Sequence, residues 1–170
     1  MIQYHVGDAT RPKGEGPKVL VHVCNSVGAW GAGFVLAISR RWPQPKAQYQ
    51  EWAAGAGGYG PFQLGAVQFV KVEAVHRAPG VVDWLWVANL IGQEGVGFRN
   101  GCPPIRYPAI HAGLLTVAEH AKKHGASVHM PRIGCSLAGG RWSEIEPIIR
   151  ETLGLCDVNV YDLRRDDYNI

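Results

Sequence analysis

Residues 130–145 read MPRIGCSLAGGRWSEI, and this stretch decides the fold of the chain. An apolar run is followed by glycines at 134, 139 and 140, and residues at helical spacing then begin. Ser143 and Glu146 fit a capping box, which predicts that a helix begins at Ser143. Because glycine tolerates unusual dihedrals and has no side chain, the loop at 134–140 can bring several backbone amides close to one anion. The stretch therefore predicts a strand, an anion-binding loop and a helix in that order.

The same order occurs earlier in the chain. The run KVLVHVC at 18–24 is nearly continuous in apolar and β-branched residues, as in a strand buried on both faces. The loop NSVGAWGAG follows at 25–33 and leads into an apolar helix without a Ser, Thr or Asp cap. Uncapped amides and the helix dipole favour a phosphate there. Either loop alone could serve only tight strand–helix packing, but two such loops after two buried strands predict a diphosphate site.

Strands and helices alternate along the chain. Apolar patterning predicts strands at 2–6, 18–24, 65–75, 84–91, 127–133 and 158–163. Helical spacing predicts helices at 34–42, 46–54, 108–124 and 143–153. No linker or repeat divides these elements, so we predict one α/β domain over residues 1–170, with helices on both faces of a mixed, mostly parallel sheet. In such sheets, ligands bind at the carboxyl ends of the strands.

Composition argues against several classes of protein. The 17 basic and 14 acidic residues give a net charge of +3, too small for strong attraction to nucleic acid or a membrane. No apolar run approaches the roughly 18 residues of a membrane span, and MIQYHVGDAT lacks the features of a signal peptide. The cysteines lie too far apart in sequence for a zinc site: Cys24, Cys102, Cys135 and Cys156. We expect a cytoplasmic monomer with reduced thiols, and neither a metal nor a cofactor.

Common nucleotide-binding and hydrolase motifs are also absent from the sequence. There is no GxxxxGK[ST] P-loop, and the glycines at 28, 31 and 33 do not have GxGxxG spacing. The segment GCSLA at 134–138 approaches a nucleophile elbow, but a triad in that order needs a histidine after Ser136, and the last histidine is His129. The two loops are therefore interpreted as a binding site built from main-chain amides.

Four motifs resemble those of one known family. They are VGDAT at 6–10, VHVCNSVGAWGAG at 21–33, ANLIGQ at 88–93 and MPRIGCSLAGGRW at 130–142. Together they resemble the macrodomains, which are ADP-ribose-binding α/β/α modules, and their order and spacing cover nearly the whole chain. The loops resemble most the ADP-ribose-1''-phosphate-processing and terminal ADP-ribose glycohydrolase-like branch. The resemblance implies a three-layer α/β/α fold.

The resemblance also implies a role for each loop. Asp8 would accept a hydrogen bond from the adenine amino group beside the Ala9 amide, and Asn25 would hold the distal ribose. The first loop, residues 25–33, would wrap that ribose and one phosphate, together with the start of the next helix: Gly31, Ala32, Gly33 and Phe34. The second loop, residues 134–140, would hold the diphosphate through backbone amides: Gly134, Cys135, Ser136, Leu137, Ala138 and Gly139.

The chain departs from the family at the positions that carry lysine-based catalysis. The branch that cleaves ADP-ribosyl esters has a lysine where this chain has Gln93 and an aspartate where it has Ala138. Macrodomains that remove ADP-ribose from DNA have a lysine where Ala32 stands. Neither lysine mechanism can operate here. Ser136 also replaces a glycine that is common in this branch, which would reshape the diphosphate loop.

The remaining catalytic candidate is His22. It lies three residues before Asn25, where the yeast-type ADP-ribose-1''-phosphate phosphatases have a histidine, and we predict that these two residues are catalytic. A neutral imidazole could activate water or protonate a leaving group. The alternative is that His22 is a hydrogen-bonded core residue of a buried strand. Cys135 could be a nucleophile, but a small buried residue is the commoner role for a free cysteine.

We therefore expect the protein to bind ADP-ribose and to hydrolyse ADP-ribose-1''-phosphate or a related ADP-ribosyl linkage. The ligand would be the free nucleotide, with an ADP-ribosylated protein or nucleic acid left open as a substrate. One alternative is a reader that binds ADP-ribose without turnover, which the missing lysines favour. Another is an antidote to an ADP-ribosylating toxin, which a neighbouring transferase gene would favour.

Overall fold

A computed structural model describes residues 1–164 and contains a sheet packed between helices. The strands are β1 (Ile2–Val6), β2 (Lys18–Asn25), β3 (Val67–Ala78), β4 (Val81–Gln93), β5 (Ser127–Met130) and β6 (Val158–Asp162). The helices are α1 (Phe34–Arg41), α2 (Gln44–Ala53), α3 (Tyr107–His124) and α4 (Trp142–Thr152), with a short 3₁₀ helix at Ser136–Ala138. No helix within residues 1–164 is long and apolar enough to cross a membrane.

The sheet is mixed and mostly parallel, as predicted. The strand order is β1-β6-β5-β2-β4-β3, and every neighbouring pair is parallel except β3 and β4. Helices α1 and α2 cover one face, and α3 and α4 cover the other, which gives three layers. Five strands therefore point the same way, and their carboxyl ends form one edge of the sheet. The first and second loops both begin at this edge.

β2 shows how the two apolar layers are built. Val19 and Val21 belong to the core beneath α3 and α4, whereas Leu20 belongs to the core beneath α1 and α2. All three side chains are completely buried. A continuous apolar run is required because alternate side chains of a strand point to opposite faces, and here both faces are covered. The prediction of a doubly buried strand is confirmed.

The hairpin of β3 and β4 is longer than predicted. The antiparallel ladder continues to the pair Ala78 and Val81, around a two-residue turn at Pro79 and Gly80. The residues near the turn are mostly exposed, because the hairpin extends past the start of β2 at Lys18, which pairs with Leu85. Without a buried face, these residues lack the apolar alternation by which a strand is recognised.

Within residues 130–145, the strand ends and the helix begins earlier than predicted. β5 ends at Met130, because Pro131 has no amide to donate to a neighbouring strand. α4 begins at Trp142 with Arg141 as N-cap, and no side chain caps it. The predicted capping box at Ser143 is therefore wrong. Its partner Glu146 accepts hydrogen bonds from Arg150 instead.

Candidate anion-binding site

The first and second loops meet at the carboxyl edge of the sheet. They follow β2 and β5, which are parallel neighbours. The loops touch where a Cβ atom added to Gly33 would lie 3.0 Å from Cδ1 of Leu137. The Leu137 side chain is 58% exposed, so it rests across the gap between the loops without being enclosed there. The two loops therefore face one common gap. A single diphosphate site built from both loops requires this arrangement.

The first loop ends in a row of amides without partners. Gly33 is the N-cap of α1 with a φ of +79°, and no side chain caps the helix, as the sequence predicted. Within residues 1–164, no group accepts a hydrogen bond from the amides of residues 30–35. Gly31, Ala32 and Gly33 are exposed, and Phe34 is half-buried. Free amides at a helix N-terminus attract an anion through the helix dipole.

The second loop folds on itself and leaves its tip free. The Gly140 amide donates to the Gly134 carbonyl at 2.8 Å, and the Gly139 amide donates to the Ser136 carbonyl at 2.9 Å. Ser136–Ala138 forms the 3₁₀ helix, whose first amides have no partner inside the helix. No acceptor for the amides of Ser136 or Leu137 exists in the part of the chain that the structure describes, and both residues are exposed. These two amides can donate to a ligand.

The glycines of the second loop are also required by the turn itself. Gly134 and Gly139 have φ values of +70° and +74°, which side chains rarely adopt. A Cβ atom at Gly140 would collide with the carbonyl oxygen of Gly134. The compact turn therefore needs glycine at all three positions. This turn exposes the amides at its tip.

Two of the predicted diphosphate contacts are already used within the protein. The Cys135 amide donates to the Arg132 carbonyl at 3.3 Å, and the Gly139 amide closes the turn. Burial also raises the pKa of the Cys135 thiol, against the opposing effect of Arg132. A raised pKa disfavours the thiolate, which is the form that acts as a nucleophile.

Asn25 holds the first loop together, and this differs from its predicted role. Its Oδ1 accepts hydrogen bonds from the amides of Val27 at 3.1 Å and Ala29 at 3.0 Å and from the hydroxyl of Tyr49 at 3.0 Å. Its Nδ2 donates to the Ala29 carbonyl at 2.7 Å. Asn25 is only 8% exposed. The structure therefore gives Asn25 a role in holding the loop, because its side-chain oxygen accepts three hydrogen bonds, and its catalytic role stays a prediction.

Trp30 anchors the same loop from below. The residue is 7% exposed, and its Nε1 donates to the hydroxyl of Ser39 in α1 at 2.8 Å. Its ring packs against Tyr49 at a centroid distance of 5.4 Å and edge-on against His22 at 5.3 Å. The residues that follow Trp30 are exposed because the tryptophan itself is fixed in the core.

His22 is a core residue, which favours the alternative interpretation of the sequence over the predicted catalytic role. The side chain is 1% exposed beneath Trp30. Its Nε2 is 2.5 Å from Oδ1 of Asn89, whose Nδ2 donates to Gln68 and to the carbonyl of Pro45. Asn89 therefore presents only its oxygen to His22, so Nε2 carries the proton. Burial lowers the pKa of His22 to about 4, against the raising effect of the Asn89 hydrogen bond. A buried imidazole cannot exchange a proton with a ligand at the surface.

Asp8 lies after β1 at the same edge of the sheet as the two loops. Its Oδ1 accepts hydrogen bonds from the amide and the hydroxyl of Thr10, both at 2.8 Å. No group in residues 1–164 donates to its Oδ2, so this oxygen can accept a hydrogen bond from a ligand. Ala9 is 3% exposed and packs in the core beneath α1 and α2. Only its main chain could contact an adenine.

A third loop, residues 94–106, completes the edge and was not assigned a role from the sequence. The Gly95 amide donates to the hydroxyl of Ser26 at 2.9 Å, and the Ile105 amide donates to the Ala138 carbonyl at 3.1 Å. The third loop thus contacts both the first and the second. Phe98 is 60% exposed beside Gly139. The available signal was the run GQEGVGFRNGCPP, which follows a buried strand directly.

The family's catalytic positions are occupied by side chains with other roles. Gln93 donates through Nε2 to the Gly95 carbonyl at 3.1 Å and so shapes the third loop. Ala138 is 4% exposed and belongs to the core beneath α3 and α4. Ala32 is exposed. Ser136 has a φ of +63°, a left-handed value that glycine adopts more readily than serine.

Two surface cavities lie at the opposite edge of the sheet. A cavity of about 380 Å³ includes Lys18, the first residue of β2, and one of about 450 Å³ includes Ser127, the first residue of β5. Neither cavity is lined by a residue of the first or second loop. The candidate site is therefore distinct from both cavities.

Comparison with known proteins places this architecture in a family. No family model matches the chain. A solved macrodomain protein from Streptomyces coelicolor is 48% identical, with coverage of 95% of this chain and 99% of that chain and a TM-score of 0.78. This chain is a macrodomain. The family resemblance inferred from the four motifs is thereby confirmed, as is the α/β/α fold.

Curated relatives of this macrodomain are more distant. The chromodomain-helicase-DNA-binding protein 1-like from Danio rerio is 32% identical over 168 residues, which are 96% of this chain. The chain spans only 16% of the length of that relative. An ADP-ribose 1''-phosphate phosphatase from Meyerozyma guilliermondii is 25% identical over 172 residues and is matched over 97% of its length. The macrodomain thus matches a part of one relative and nearly the whole of the other.

Proposed function

We propose that this macrodomain binds ADP-ribose and hydrolyses ADP-ribose-1''-phosphate or a related ADP-ribosyl linkage. The supporting observation is the convergence of two rows of free amides at the contact of Gly33 with Leu137. A diphosphate carries negative charge on oxygens that accept several hydrogen bonds, and backbone amides in a concave loop provide matching donors. Hydrogen bonds to charged groups are stronger than those between neutral groups. The full-length match to a phosphatase adds support for the substrate.

Asp8 gives the proposed binding mode a direction. Its free Oδ2 would accept the adenine amino group at the β1 end of the sheet edge. The diphosphate would cross between the first and second loops, since β1 is separated from β2 by β6 and β5. The distal ribose and its 1''-substituent would then lie beside the first and third loops.

Hydrolysis would proceed without a histidine acid. His22 is in the core, so the amides of the two loops would carry the developing negative charge, as in other sites built from oriented amides. A water held at the first loop, whose shape is fixed by Asn25, would attack the 1''-phosphorus. The bond from phosphorus to the ribose oxygen would break, and a proton of the water would pass to that departing oxygen. The same arrangement would also act on an ADP-ribosyl linkage to a protein or a nucleic acid. Only the group at the 1'' position differs, and this group would lie outside the diphosphate contacts.

A reader that binds ADP-ribose without turnover is the second candidate. The burial of His22 and the absence of a lysine at Gln93 and Ala32 favour it. Amides that bind the ground state as tightly as the transition state give affinity without acceleration.

Calorimetric titration with ADP-ribose, combined with a phosphate-release assay on its 1''-phosphate, separates these functions. The matched variants are Gly33→Ala and Gly80→Ala, because both glycines have a left-handed φ, at +79° and +76°. Only Gly33 lies in the site, so we expect Gly33→Ala to weaken ADP-ribose binding by about tenfold or more and Gly80→Ala to leave it unchanged.

Each result has a distinct meaning for the proposal. Saturable binding with phosphate release supports the hydrolase, and binding without release from this substrate or from ADP-ribosylated protein or DNA supports the reader. Absence of binding by the parent protein would overturn the proposed function. Equal weakening in both variants would remove the assignment of the first loop.

A further inference from the structure

We infer that Tyr49 of α2 is a positioning residue for the proposed ADP-ribose site. This inference rests on the proposed function, and it concerns a residue that would not touch the ligand. The Tyr49 side chain is completely buried between Trp30 and Phe62, at ring-centroid distances of 5.4 and 5.7 Å. Its position in a helix core gives no indication of a role in a loop more than 15 residues earlier in the sequence.

The Tyr49 hydroxyl reaches the base of the first loop. It is 2.6 Å from the backbone carbonyl oxygen of Asn25 and 3.0 Å from Oδ1 of the same residue. Burial raises the pKa of Tyr49 well above its usual value, against the lowering effect of backbone hydrogen bonds from Gly28 and Asn25. The hydroxyl therefore keeps its proton and donates it to Asn25.

Asn25 transmits this contact to the free amides. Its Oδ1 accepts the amides of Val27 and Ala29, and Nδ2 returns a hydrogen bond to the Ala29 carbonyl. The loop is thereby closed into one turn that places Trp30 in the core and the exposed residues Gly31, Ala32 and Gly33 at the surface. Without the hydroxyl, the carbonyl of Asn25 loses the hydrogen bond from Tyr49, and the loop can depart from the geometry that a diphosphate requires.

Buried hydrogen bonds from side chains of the sheet fix the position of α2 along the strands. Asn89 of β4 donates to the carbonyl of Pro45 at 3.2 Å, and Gln68 of β3 donates to the carbonyl of Gln48 at 3.0 Å. His22 joins these hydrogen bonds through Asn89. All three side chains are at least 97% buried. Polar contacts in an apolar layer specify one register, since any slide of α2 would leave them unpaired. Tyr49, next to Gln48, is thereby held at the level of the first loop.

Tyr161 of β6 provides a matched control. It is 3% exposed, and its hydroxyl also makes hydrogen bonds, with the Lys13 amide at 2.9 Å and with Nδ1 of His129 at 2.8 Å. Neither partner belongs to the first, second or third loop. Tyr161→Phe thus removes a buried hydroxyl whose hydrogen-bond partners are not proposed ligand contacts, whereas Tyr49→Phe removes the one at the base of the first loop.

The test measures ADP-ribose affinity, unfolding temperature and amide hydrogen exchange for both variants. We expect Tyr49→Phe to weaken ADP-ribose binding by about threefold to tenfold and to speed exchange of the Val27 and Ala29 amides. We expect Tyr161→Phe to lower the unfolding temperature to a similar extent, with affinity and first-loop exchange unchanged.

Two outcomes would overturn the inference. One is a loss of affinity that follows unfolding temperature equally in the two variants, which indicates a general structural role. The other is unchanged exchange at Val27 and Ala29 in Tyr49→Phe. If the parent protein binds no ADP-ribose, the proposed function fails, and the exchange measurement still decides whether Tyr49 holds the first loop.

Discussion

The first and second loops present amides to the same gap but are held in shape by different means. Side chains hold the first loop, through the hydrogen bonds of Asn25 and the buried ring of Trp30. Backbone contacts hold the second, through the hydrogen bond from Gly140 to Gly134 and left-handed glycines. An exposed row of amides can thus be held in place by buried side chains or by a turn that closes on itself. Substitutions in the two loops should therefore differ in their effects on stability.

The largest effect is expected from adding a methyl group inside the second loop. In Gly140→Ala, the new Cβ would collide with the Gly134 carbonyl oxygen and crowd Ile105, so the turn cannot close. We expect the free energy of unfolding to fall by about 3 kcal/mol in urea titrations. Gly31→Ala in the first loop is the matched control, because no atom lies within 4 Å of its Cβ position. It should change stability by less than about 0.5 kcal/mol. Similar losses in both variants would contradict the proposed difference.

Truncation of Asn25 should damage the first loop and spare the second. Asn25→Ala leaves the amides of Val27 and Ala29 and the Ala29 carbonyl without partners, which should lower the free energy of unfolding by about 2 kcal/mol. Asn25→Asp keeps the acceptor oxygen and should lose less. Hydrogen exchange should be faster in the first loop and unchanged in the second. A variant with parent-like stability and reduced ADP-ribose affinity would instead indicate a direct ligand contact.

Acid should lower the free energy of unfolding through His22, which packs beneath the first loop. The pKa of His22 is lowered to about 4 in the folded chain from 6.5, so the unfolded chain binds more protons between these values. The stabilisation is complete above pH 6.5 and is lost as pH falls towards 4. From pH 7 to pH 5, we expect a loss of about 2 kcal/mol through this residue. Urea titrations of the parent and of His22→Gln at both pH values test this. The prediction fails if the variant keeps the full pH dependence.

The smallest expected effect is a gain in stability from the second loop. Ser136 has a φ of +63°, and Ser136→Gly removes the strain of a side chain in this region. We expect the free energy of unfolding to rise by up to about 1 kcal/mol in urea titrations. Asn100, with a φ of +51°, is the control, since asparagine tolerates this conformation and Asn100→Gly should gain less. A loss of stability in Ser136→Gly would show that the hydroxyl contributes more than the strain removes.

The sequence was sufficient to predict features that have a period or a composition of their own. The apolar run of β2 predicted burial on both faces, and the uncapped start of α1 at Gly33 could be read from the missing Ser, Thr or Asp. The exposed tip of the β3–β4 hairpin has no such pattern. Its ladder was therefore predicted too short.

The candidate site was predictable in its loops but not in its side chains. Glycines at 134, 139 and 140 indicated a tight turn, because few other roles require three of them in so short a stretch. The surroundings of His22 and Asn25 could not be predicted, because the sequence does not show which way a strand residue points or which partners it finds. Those partners, Asn89 and Tyr49, lie on other elements and become neighbours only in the folded sheet.

The leucine that spans the two loops has a consequence for how a ligand reaches the amides. Leu137 lies against Gly33 with more than half of its side chain in solvent, so it is free to change rotamer within nanoseconds. At ordinary concentrations, encounters with a diffusing nucleotide are far less frequent than these rotamer changes. The leucine therefore does not limit the association rate. Between arrivals its apolar side chain lies beside Gly33 and occupies space that water would otherwise take next to the first loop.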